Sequence, residues 1–288
     1  MKIDLHIHTK TGSDGNLPVE GVFAEASRRG IQFISITDHD NISTQQKAQV
    51  ISNNFGMKYV TGVELNVSFQ YPGSKVVSLD YLGYNFDIFN TDLNDKLKVV
   101  REHREKRAIQ ILENLNIEFV KENRPIFTTK DLENIQESVD GTFGRPHIAN
   151  YLISKGIVKD KQEAFDRYLV KCDVPKYPLT LAEASRIIRN AGGVLILAHP
   201  DDPNGTSLRS VTSSLNEQIQ IISQYMLKYI DGVEVWHSRH AEKTRLFYHD
   251  FATRNRLLMT GGSDCHQKPI TMGTVEIPDF VSSQFNVP

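Results

Sequence analysis

"DLHIHTKTGSDG" (residues 4–15) places His6 and His8 two residues apart near the amino terminus and follows them with Asp14 in a Ser-Asp-Gly turn. Two histidines at this spacing lie on the same face of a β-strand, because side chains alternate along a strand. Taken alone, the pair could bind a metal ion, or it could consist of two polar residues on a solvated face. The choice depends on whether other parts of the chain supply further ligands.

Length and composition indicate a globular protein. The 288 residues can bury a sizeable core, as one large domain or as a domain with an insertion. The net charge is −2, from 33 basic and 35 acidic residues, so the excess of positive charge typical of nonspecific nucleic-acid binding is missing. Cys172 and Cys265 are the two cysteines, which excludes a disulfide framework and a cysteine zinc cluster. We recognise no signal peptide or membrane-spanning stretch, and we therefore expect a cytoplasmic protein without a membrane partner.

Short β-branched runs alternate with helical patterns along most of the chain. The runs predict seven strands, at residues 2–9, 33–39, 58–69, 75–86, 192–200, 231–238 and 257–266. A mostly helical and more charged block interrupts them from about residue 91 to residue 190. Repeated β-α units predict an α/β fold with a parallel sheet, either open or closed into a barrel.

Polar side chains concentrate at the ends of the predicted strands, where folds of this class hold their active sites. Seven of the ten histidines lie there, together with three carboxylates. The set is His6, His8, His39, Glu64, Asp80, His199, His237, His240, Asp264 and His266. Each residue alone could be a core residue or an ion-pair partner. Together they predict a multinuclear metal site, because carboxylates can bridge two ions and imidazole suits Zn, Fe, Mn or Co.

Five motifs in this order resemble those of the PHP (polymerase and histidinol phosphatase) phosphoesterases. They are "DLHIHTKTGSDG", "ITDHD" (36–40), "GVELN" (62–66), "LAHP" (197–200) and "GGSDCH" (261–266). The resemblance implies a distorted (β/α)7 barrel, which agrees with the strand count. It also implies that residues 1–95 and 190–288 form the barrel, while a mostly helical insertion, residues 96–189, covers the barrel mouth.

The resemblance further implies a site for two or three divalent ions. The implied ligands are His6, His8, Asp14, His39, Glu64, Asp80, His199, Asp264 and His266. Glu64 would bridge two ions. Asp80 begins "DYLGY" (80–84), where the family commonly has a histidine, and this departure leaves open whether a third ion binds. We expect Mn²⁺, with Zn²⁺, Fe²⁺ and Mg²⁺ as alternatives.

Two further segments bear on the substrate. "GRPHIANYL" (144–152) resembles a segment of the stand-alone family enzymes that hydrolyse nucleotide phosphates, including 3′,5′-nucleoside bisphosphates. Arg145 would bind a phosphate with its guanidinium, and His147 would add a donor. Alternatively, Arg145 pairs with a carboxylate of the insertion and His147 caps a helix. "EVWHSRH" (234–240) resembles a family segment that ends in a histidine near the substrate, which makes His240 the expected substrate contact. His237 would support the ligands or act as a general acid. We expect Arg239 to lie on the exposed surface.

These expectations describe a metal-dependent phosphoric ester hydrolase. A water shared by two ions would lose a proton and attack phosphorus, with Asp264, His199, Glu64 and His237 as the catalytic set. Arg145, His147 and His240 would orient the phosphate. The expected substrate is a small nucleotide-like phosphomonoester, such as a 3′,5′-nucleoside bisphosphate or AMP. The alternatives are histidinol phosphate, a cyclic phosphodiester or a short oligonucleotide on the same site, and an inactive metal-binding accessory module.

Overall fold

Eight strands form two sheets in the part of the chain that the computed structural model describes, residues 1–137, 144–266 and 270–285. The strands are β1 Ile3–Asp4, β2 Phe33–Ile34, β3 Lys58–Tyr59, β4 Gly62–Phe69, β5 Val77–Tyr84, β6 Val194–Leu197, β7 Gly232–His237 and β8 Leu258–Gly262. The helices are α1 Val19–Arg28, α2 Gln45–Asn54, α3 Thr91–Lys121, α4 Thr129–Glu137, α5 Arg145–Ser154, α6 Lys161–Ala164, α7 Leu181–Asn190, α8 Leu215–Ile221, α9 Glu242–Asn255 and α10 Phe280–Ser283. The mixed α/β class of the prediction is confirmed.

The first sheet is parallel, in the order β1-β2-β3, and the second is mixed, in the order β4-β5-β6-β7-β8. Strands β4 and β5 form an antiparallel hairpin, and β5 is also antiparallel to β6. The predicted third strand, residues 58–69, therefore divides into β3 and β4, which belong to different sheets. Gly62 permits this crossing, because a Cβ atom there would lie 2.2 Å from Oγ of Ser35.

Backbone contacts connect the first sheet to both edges of the second sheet. Past the end of β1, Ile7 forms a parallel bridge with Cys265, and past the end of β2, His39 forms one with Glu64. The N–H of Leu5 also donates to the carbonyl oxygen of Gly261 at 3.1 Å. These contacts join the carboxyl end of β1 to that of β8 and the carboxyl end of β2 to β4. Closure of the sheets into a seven-stranded barrel stays a prediction.

The helical block has a hydrophobic core of its own. Buried residues from Ala108 to Cys172, among them Leu115 and Phe119 of α3, pack together apart from the main core. In contrast, Ile187 of α7 packs with the strands. The division into residues 1–95 with 190–288 and residues 96–189 stays a prediction. Across the described ranges, no helix has both the length and the apolar composition needed to cross a bilayer.

Candidate metal centre

Glu64, on β4, lies at the centre of the predicted ligand set. Its Oε2 atom lies 3.3 Å from Nε2 of His6, 3.1 Å from Nε2 of His8 and 3.1 Å from Nδ1 of His39. Its Oε1 atom lies 3.0 Å from Nε2 of His199. The side chain of Glu64 is buried. One carboxylate therefore meets four imidazoles that come from three other segments, which is the geometry expected of a bridging ligand.

Asp264 forms a second centre of contacts, just beyond β8. Its Oδ1 atom lies 3.4 Å from Nε2 of His6, 3.3 Å from Nε2 of His8 and 3.2 Å from Nδ1 of His266. Asp14 extends the cluster toward the opening, since its Oδ1 atom lies 3.4 Å from Nε2 of His266. Both carboxylates therefore share imidazoles with the rest of the set.

The backbone is shaped for these contacts. A Cβ atom on Gly262 would lie 2.3 Å from Cβ of His6, so the glycine allows β8 to approach the first ligand. His199 and Asp264 both have positive φ angles, +24° and +53°, which non-glycine residues rarely adopt. Such conformations cost free energy and are typical of functional sites.

Buried nitrogen and oxygen atoms with no hydrogen-bond partner within the described ranges converge at the same place. They are Nε2 of His6, Nε2 of His8, Oδ1 of Asp14, Nδ1 of His39 and Oε2 of Glu64. Burying polar atoms without partners is costly, and metal ions would satisfy them. We therefore call the nine predicted ligands the metal cluster. Three of its groups have ligand atoms within 4.8 Å of one another, namely His8, Asp14, His39 and His266; His6, His8, Glu64 and Asp264; and Glu64, Asp80 and His199.

The carboxylates and imidazoles of the cluster shift one another's pKa values. Burial would raise the pKa of Glu64, but the charges of His6 and His39 outweigh burial and hold it well below its usual value. Burial would lower the pKa of His199, but hydrogen bonding to Glu64 and its charge raise it to about 9. For His266, the charges of Asp14 and Asp264 outweigh burial and raise the pKa to about 10. Protons on these imidazoles thus balance the carboxylates that cations would otherwise neutralise.

Asp80 lies beside the cluster and already has two neutral hydrogen-bond partners. Its Oδ1 atom accepts from Nδ2 of Asn66 at 2.5 Å, and its Oδ2 atom accepts from Oγ1 of Thr206. Burial, and then the charge of Glu64, raise the pKa of Asp80 to about 6. Asp80, Glu64 and His199 nevertheless have ligand atoms within 4.8 Å of one another, so together they could hold an ion.

His237 and His240 lie beneath the cluster. Nε2 of His237 lies 3.6 Å from Oδ2 of Asp264, and its Nδ1 atom accepts from the N–H of Arg239 at 3.3 Å. His240 donates from Nδ1 to the carbonyl oxygen of Val235 at 3.0 Å and accepts at Nε2 from a backbone N–H at 3.3 Å. Both nitrogens of buried His240 therefore have hydrogen-bond partners, and the substrate contact expected of this residue stays a prediction.

A cavity of about 360 Å³ opens above the metal cluster. Its walls include seven residues of the cluster, namely Asp14, His39, Glu64, Asp80, His199, Asp264 and His266. They also include five basic side chains, namely Arg104, Arg107, Arg145, Lys176 and Arg239. The volume falls within the range of small-molecule sites. The cavity therefore combines a metal cluster with the positive charge that an anionic ligand requires.

Arg145 and His147 make the contacts of the alternative interpretation. Nη1 of Arg145 lies 2.8 Å from Oδ2 of Asp173, a carboxylate of the helical block. Nδ1 of His147 accepts from the N–H of Gly144 at 3.1 Å, which caps α5. Arg145 nevertheless lines the cavity, while His147 lies outside its lining. Substrate binding by either residue stays a prediction.

Sequence reasoning missed Glu234 and understated Arg239. Glu234 is a lone charge within the buried strand β7, and its Oε1 atom lies 3.0 Å from Nδ1 of His6. Arg239 is exposed, as expected, but it pairs with Asp202 and its Nη2 atom lies 2.6 Å from Oδ2 of Asp264. A charged residue in an otherwise apolar strand was the available signal for Glu234. The partners of Arg239 are distant in sequence, so the residues around Arg239 could not predict this pairing.

Several known proteins are similar to this chain over most of its length. The family model of the PHP domain matches residues 4–172. A 5′-3′ exoribonuclease of Haemophilus influenzae is 31% identical over 206 residues, which cover 69% of each chain. A 3′,5′-nucleoside bisphosphate phosphatase of Chromobacterium violaceum is 28% identical over 279 residues, which cover 92% of this chain and 87% of the relative. A crystal structure from Bifidobacterium adolescentis, of a protein assigned to the metal-dependent phosphoesterases, superposes with a TM-score of 0.80 at 27% identity and covers 98% of this chain and 94% of that one.

Proposed function

The chain belongs to the PHP family and is a metal-dependent phosphoesterase, and we propose that it hydrolyses a small nucleotide-like phosphomonoester. A 3′,5′-nucleoside bisphosphate is the substrate that we favour, with AMP as a poorer one. The observation that carries the proposal is the cavity, whose walls combine the metal cluster with five basic side chains in about 360 Å³. A small substrate with two phosphates would use both features.

Each part of the proposed site has a role that its chemistry allows. The metal cluster would hold two or three divalent ions, with Glu64 shared between them, and Mn²⁺ is the ion that we favour because the ligands mix carboxylates and imidazoles. Bound ions of this kind activate water and offset the charge of the phosphate. Arg145 would leave Asp173 to bind a phosphate oxygen with its planar guanidinium. His237, next to Asp264, remains our candidate for the general acid.

Contacts between the sheets support a further structural proposal. We infer that β1, β2, β4, β5, β6, β7 and β8 close into a distorted seven-stranded barrel around the cluster. The bridges from Ile7 to Cys265 and from His39 to Glu64 join the sheet edges where such closure requires it. The helical residues Arg104, Arg145 and Phe165 line the cavity opposite the cluster, as a covering insertion would.

A short oligonucleotide is the second candidate substrate. The similarity to the relative named 5′-3′ exoribonuclease favours it. The net charge of −2 disfavours it, because proteins that bind long nucleic acids usually offer a distributed basic track.

A substrate panel tests the proposal. Metal-free protein is supplied with Mn²⁺ and offered adenosine 3′,5′-bisphosphate, AMP, histidinol phosphate, a cyclic phosphodiester and a 5′-phosphorylated short RNA, and released phosphate and nucleotides are measured. We expect the highest kcat/KM with the bisphosphate and no release by the Asp264→Ala variant. A preference for RNA would support the second candidate instead. If no compound of the panel releases phosphate or nucleotide, although bound metal has been verified, the proposal is overturned in favour of an accessory module.

A further inference from the structure

Four of the basic side chains on the cavity wall come from the helical block and its return to the strands. We call Arg104, Arg107, Arg145 and Lys176 the basic wall. Arg104 pairs with Asp40, and both Arg107 and Arg145 pair with Asp173. Four positive side chains thus meet two paired carboxylates, so the basic wall by itself carries an excess of two positive charges.

Lys176 differs from the three arginines of the basic wall. Across the described ranges it forms no ion pair and no hydrogen bond through its ammonium group, although it is partly buried. The nearby charges are Asp80, Arg104, Arg107 and Arg145. Burial and these arginines lower the pKa of Lys176 to about 8, despite the opposing effect of Asp80. An ammonium group in such surroundings is stabilised by an anion, and no anionic side chain among the described residues is paired with it.

The segment that carries Lys176 is tied down on both sides. Before it, Nε of Arg107 donates to the carbonyl oxygen of Val174 at 2.5 Å. After it, the hydroxyl of Tyr177 accepts from Nζ of Lys96 at 3.3 Å. Pro175 and Pro178 further restrict the backbone. Lys176 is therefore presented to the cavity by a fixed segment, and a ligand would not have to order it.

Lys176 also contributes to a small recess next to the cavity. An adjoining recess is lined by Lys176 together with Asp40, Asn66, Val100, Arg104, Arg107 and Tyr177. None of these residues belongs to the metal cluster. Lys176 therefore adjoins residues outside the metal cluster, and Asp80 is the cluster member named among the charges near its ammonium group.

We infer that Lys176 binds a second phosphate of the substrate, the one that is not hydrolysed. This inference rests on the proposed function, since it assigns the scissile phosphate to the metal cluster and the other phosphate to the basic wall. It makes Lys176 a specificity-determining residue that distinguishes substrates with two phosphates from substrates with one. The second phosphate can come from a nucleoside bisphosphate or from the next residue of an oligonucleotide.

The test compares Lys176→Met, Lys176→Arg and the control Lys75→Met, a change at an exposed lysine outside the cavity. KM and kcat are measured for adenosine 3′,5′-bisphosphate and for AMP with the Mn²⁺-loaded enzyme. Loss of a charge-assisted hydrogen bond to phosphate should raise KM for the bisphosphate roughly 10- to 100-fold in K176M. We expect nearly unchanged kcat, a nearly unchanged KM for AMP, wild-type behaviour of the control and partial retention of the preference in K176R. An equal loss for both nucleotides, or no loss, would overturn the inference.

Binding to the metal-free protein provides a second readout. Wild-type protein should bind adenosine 3′,5′-bisphosphate more tightly than AMP in calorimetric titrations, and K176M should lose that difference while keeping its thermal unfolding midpoint and its Mn²⁺ stoichiometry. If wild type turns over neither nucleotide, the proposed function fails, but this comparison still decides the role of Lys176. A 5′-phosphorylated dinucleotide distinguishes the two sources: an effect of K176M on that ligand alone would assign the second phosphate to an oligonucleotide.

Discussion

Nδ1 of His6 lies 3.0 Å from Oε1 of Glu234, and both side chains are fully buried. The other carboxylate oxygen, Oε2, accepts from the backbone N–H of His199 at 2.8 Å. Because one ring nitrogen of His6 is held by Glu234, the other faces Glu64 and Asp264. A single carboxylate that lines no part of the cavity therefore orients two members of the metal cluster.

We expect Glu234→Gln to weaken metal binding by about 10- to 100-fold, as changes behind a metal-bound histidine commonly do. The amide keeps the shape of the side chain but loses the charge that fixes the orientation and basicity of His6. The measurement is a Mn²⁺ titration of the metal-free protein, with Glu242→Gln, at an exposed position of α9, as the matched control. Equal affinity of E234Q and the control would contradict this role.

Glu64→Gln should have a larger effect, because Glu64 contacts four imidazoles directly. We expect phosphate release to fall by roughly 100-fold or more, beyond the loss typical of residues behind the ligands. Metal content after dialysis should fall as well. Glu20→Gln, at an exposed position of α1, is the control. A variant that kept full metal content and activity would show that Glu64 does not bridge ions.

The fold positions the cluster as strand-end reasoning predicts. His6, His39, His199 and Asp264 lie far apart in sequence but meet because strands of one direction end at the same edge. That inference needs strand positions and polar residues, and local patterns supply both. The direction of β5 could not be predicted in this way. Two strands joined by a hairpin around Pro72-Gly73 and two strands joined by a crossover show similar alternation of apolar and polar residues along the chain.

Residues that act through long-range pairing could not be found in the same way. Arg239 contacts Asp202 and Asp264 only because three separate loops meet above the sheet. Lys176 is informative because, among the described residues, no carboxylate is paired with it. Whether one is available depends on which acidic residues pair with the arginines of the basic wall. The residues next to Lys176 in the sequence do not indicate which of these ion pairs form. Glu234 was the accessible exception, since a charge within a buried strand requires a partner.

Metal binding should release protons and change the pH dependence of stability. In the metal-free protein the pKa values of His199 and His266 are about 9 and 10, above the usual 6.5, since nearby carboxylates outweigh burial. Their raised pKa contributes stability that is fully present below pH 6.5 and is lost as pH rises through 9 to 10. We expect the free energy of unfolding of metal-free protein to fall over this window by on the order of a few kcal/mol.

The measurement is urea unfolding from pH 6.5 to pH 10, with and without Mn²⁺. Loaded protein should lack this decline, because ions replace the protons. Calorimetric titration with Mn²⁺ at pH 7 in two buffers of different ionisation enthalpy should report proton release. Identical pH profiles for metal-free and loaded protein, with no proton release, would contradict the charge balance described for the cluster.

Arg145 should act on phosphate binding, although it is paired with Asp173 in the structure. We expect Arg145→Ala to raise KM for phosphomonoesters roughly 10-fold or more, because a charged hydrogen bond to phosphate is lost. Asp173→Asn should lower KM, since it releases Arg145 from a competing carboxylate. Arg124→Ala is the control, because Arg124 pairs with Glu122 away from the cavity. Unchanged KM in R145A would leave Arg145 with the structural role of its ion pair.

Asp80 tests how many ions the cluster holds. Its carboxylate lies with Glu64 and His199 in the third ligand group, yet it also accepts from Asn66 and Thr206. Asp80→Asn preserves the shape and removes the charge that an ion would need, so we expect one fewer Mn²⁺ per chain and unchanged affinity for the remaining ions. Asn66→Ala is the complementary variant, because it removes a competing donor while leaving the ligand in place.

The number of bound ions is counted by elemental analysis after equilibration at fixed free Mn²⁺, and wild type, D80N and N66A are compared. If Asp80 binds an ion, D80N loses one equivalent and N66A keeps it. If Asn66 and Thr206 engage the carboxylate fully, all three proteins bind the same number, and Asp80 is a structural residue in the place of the usual histidine.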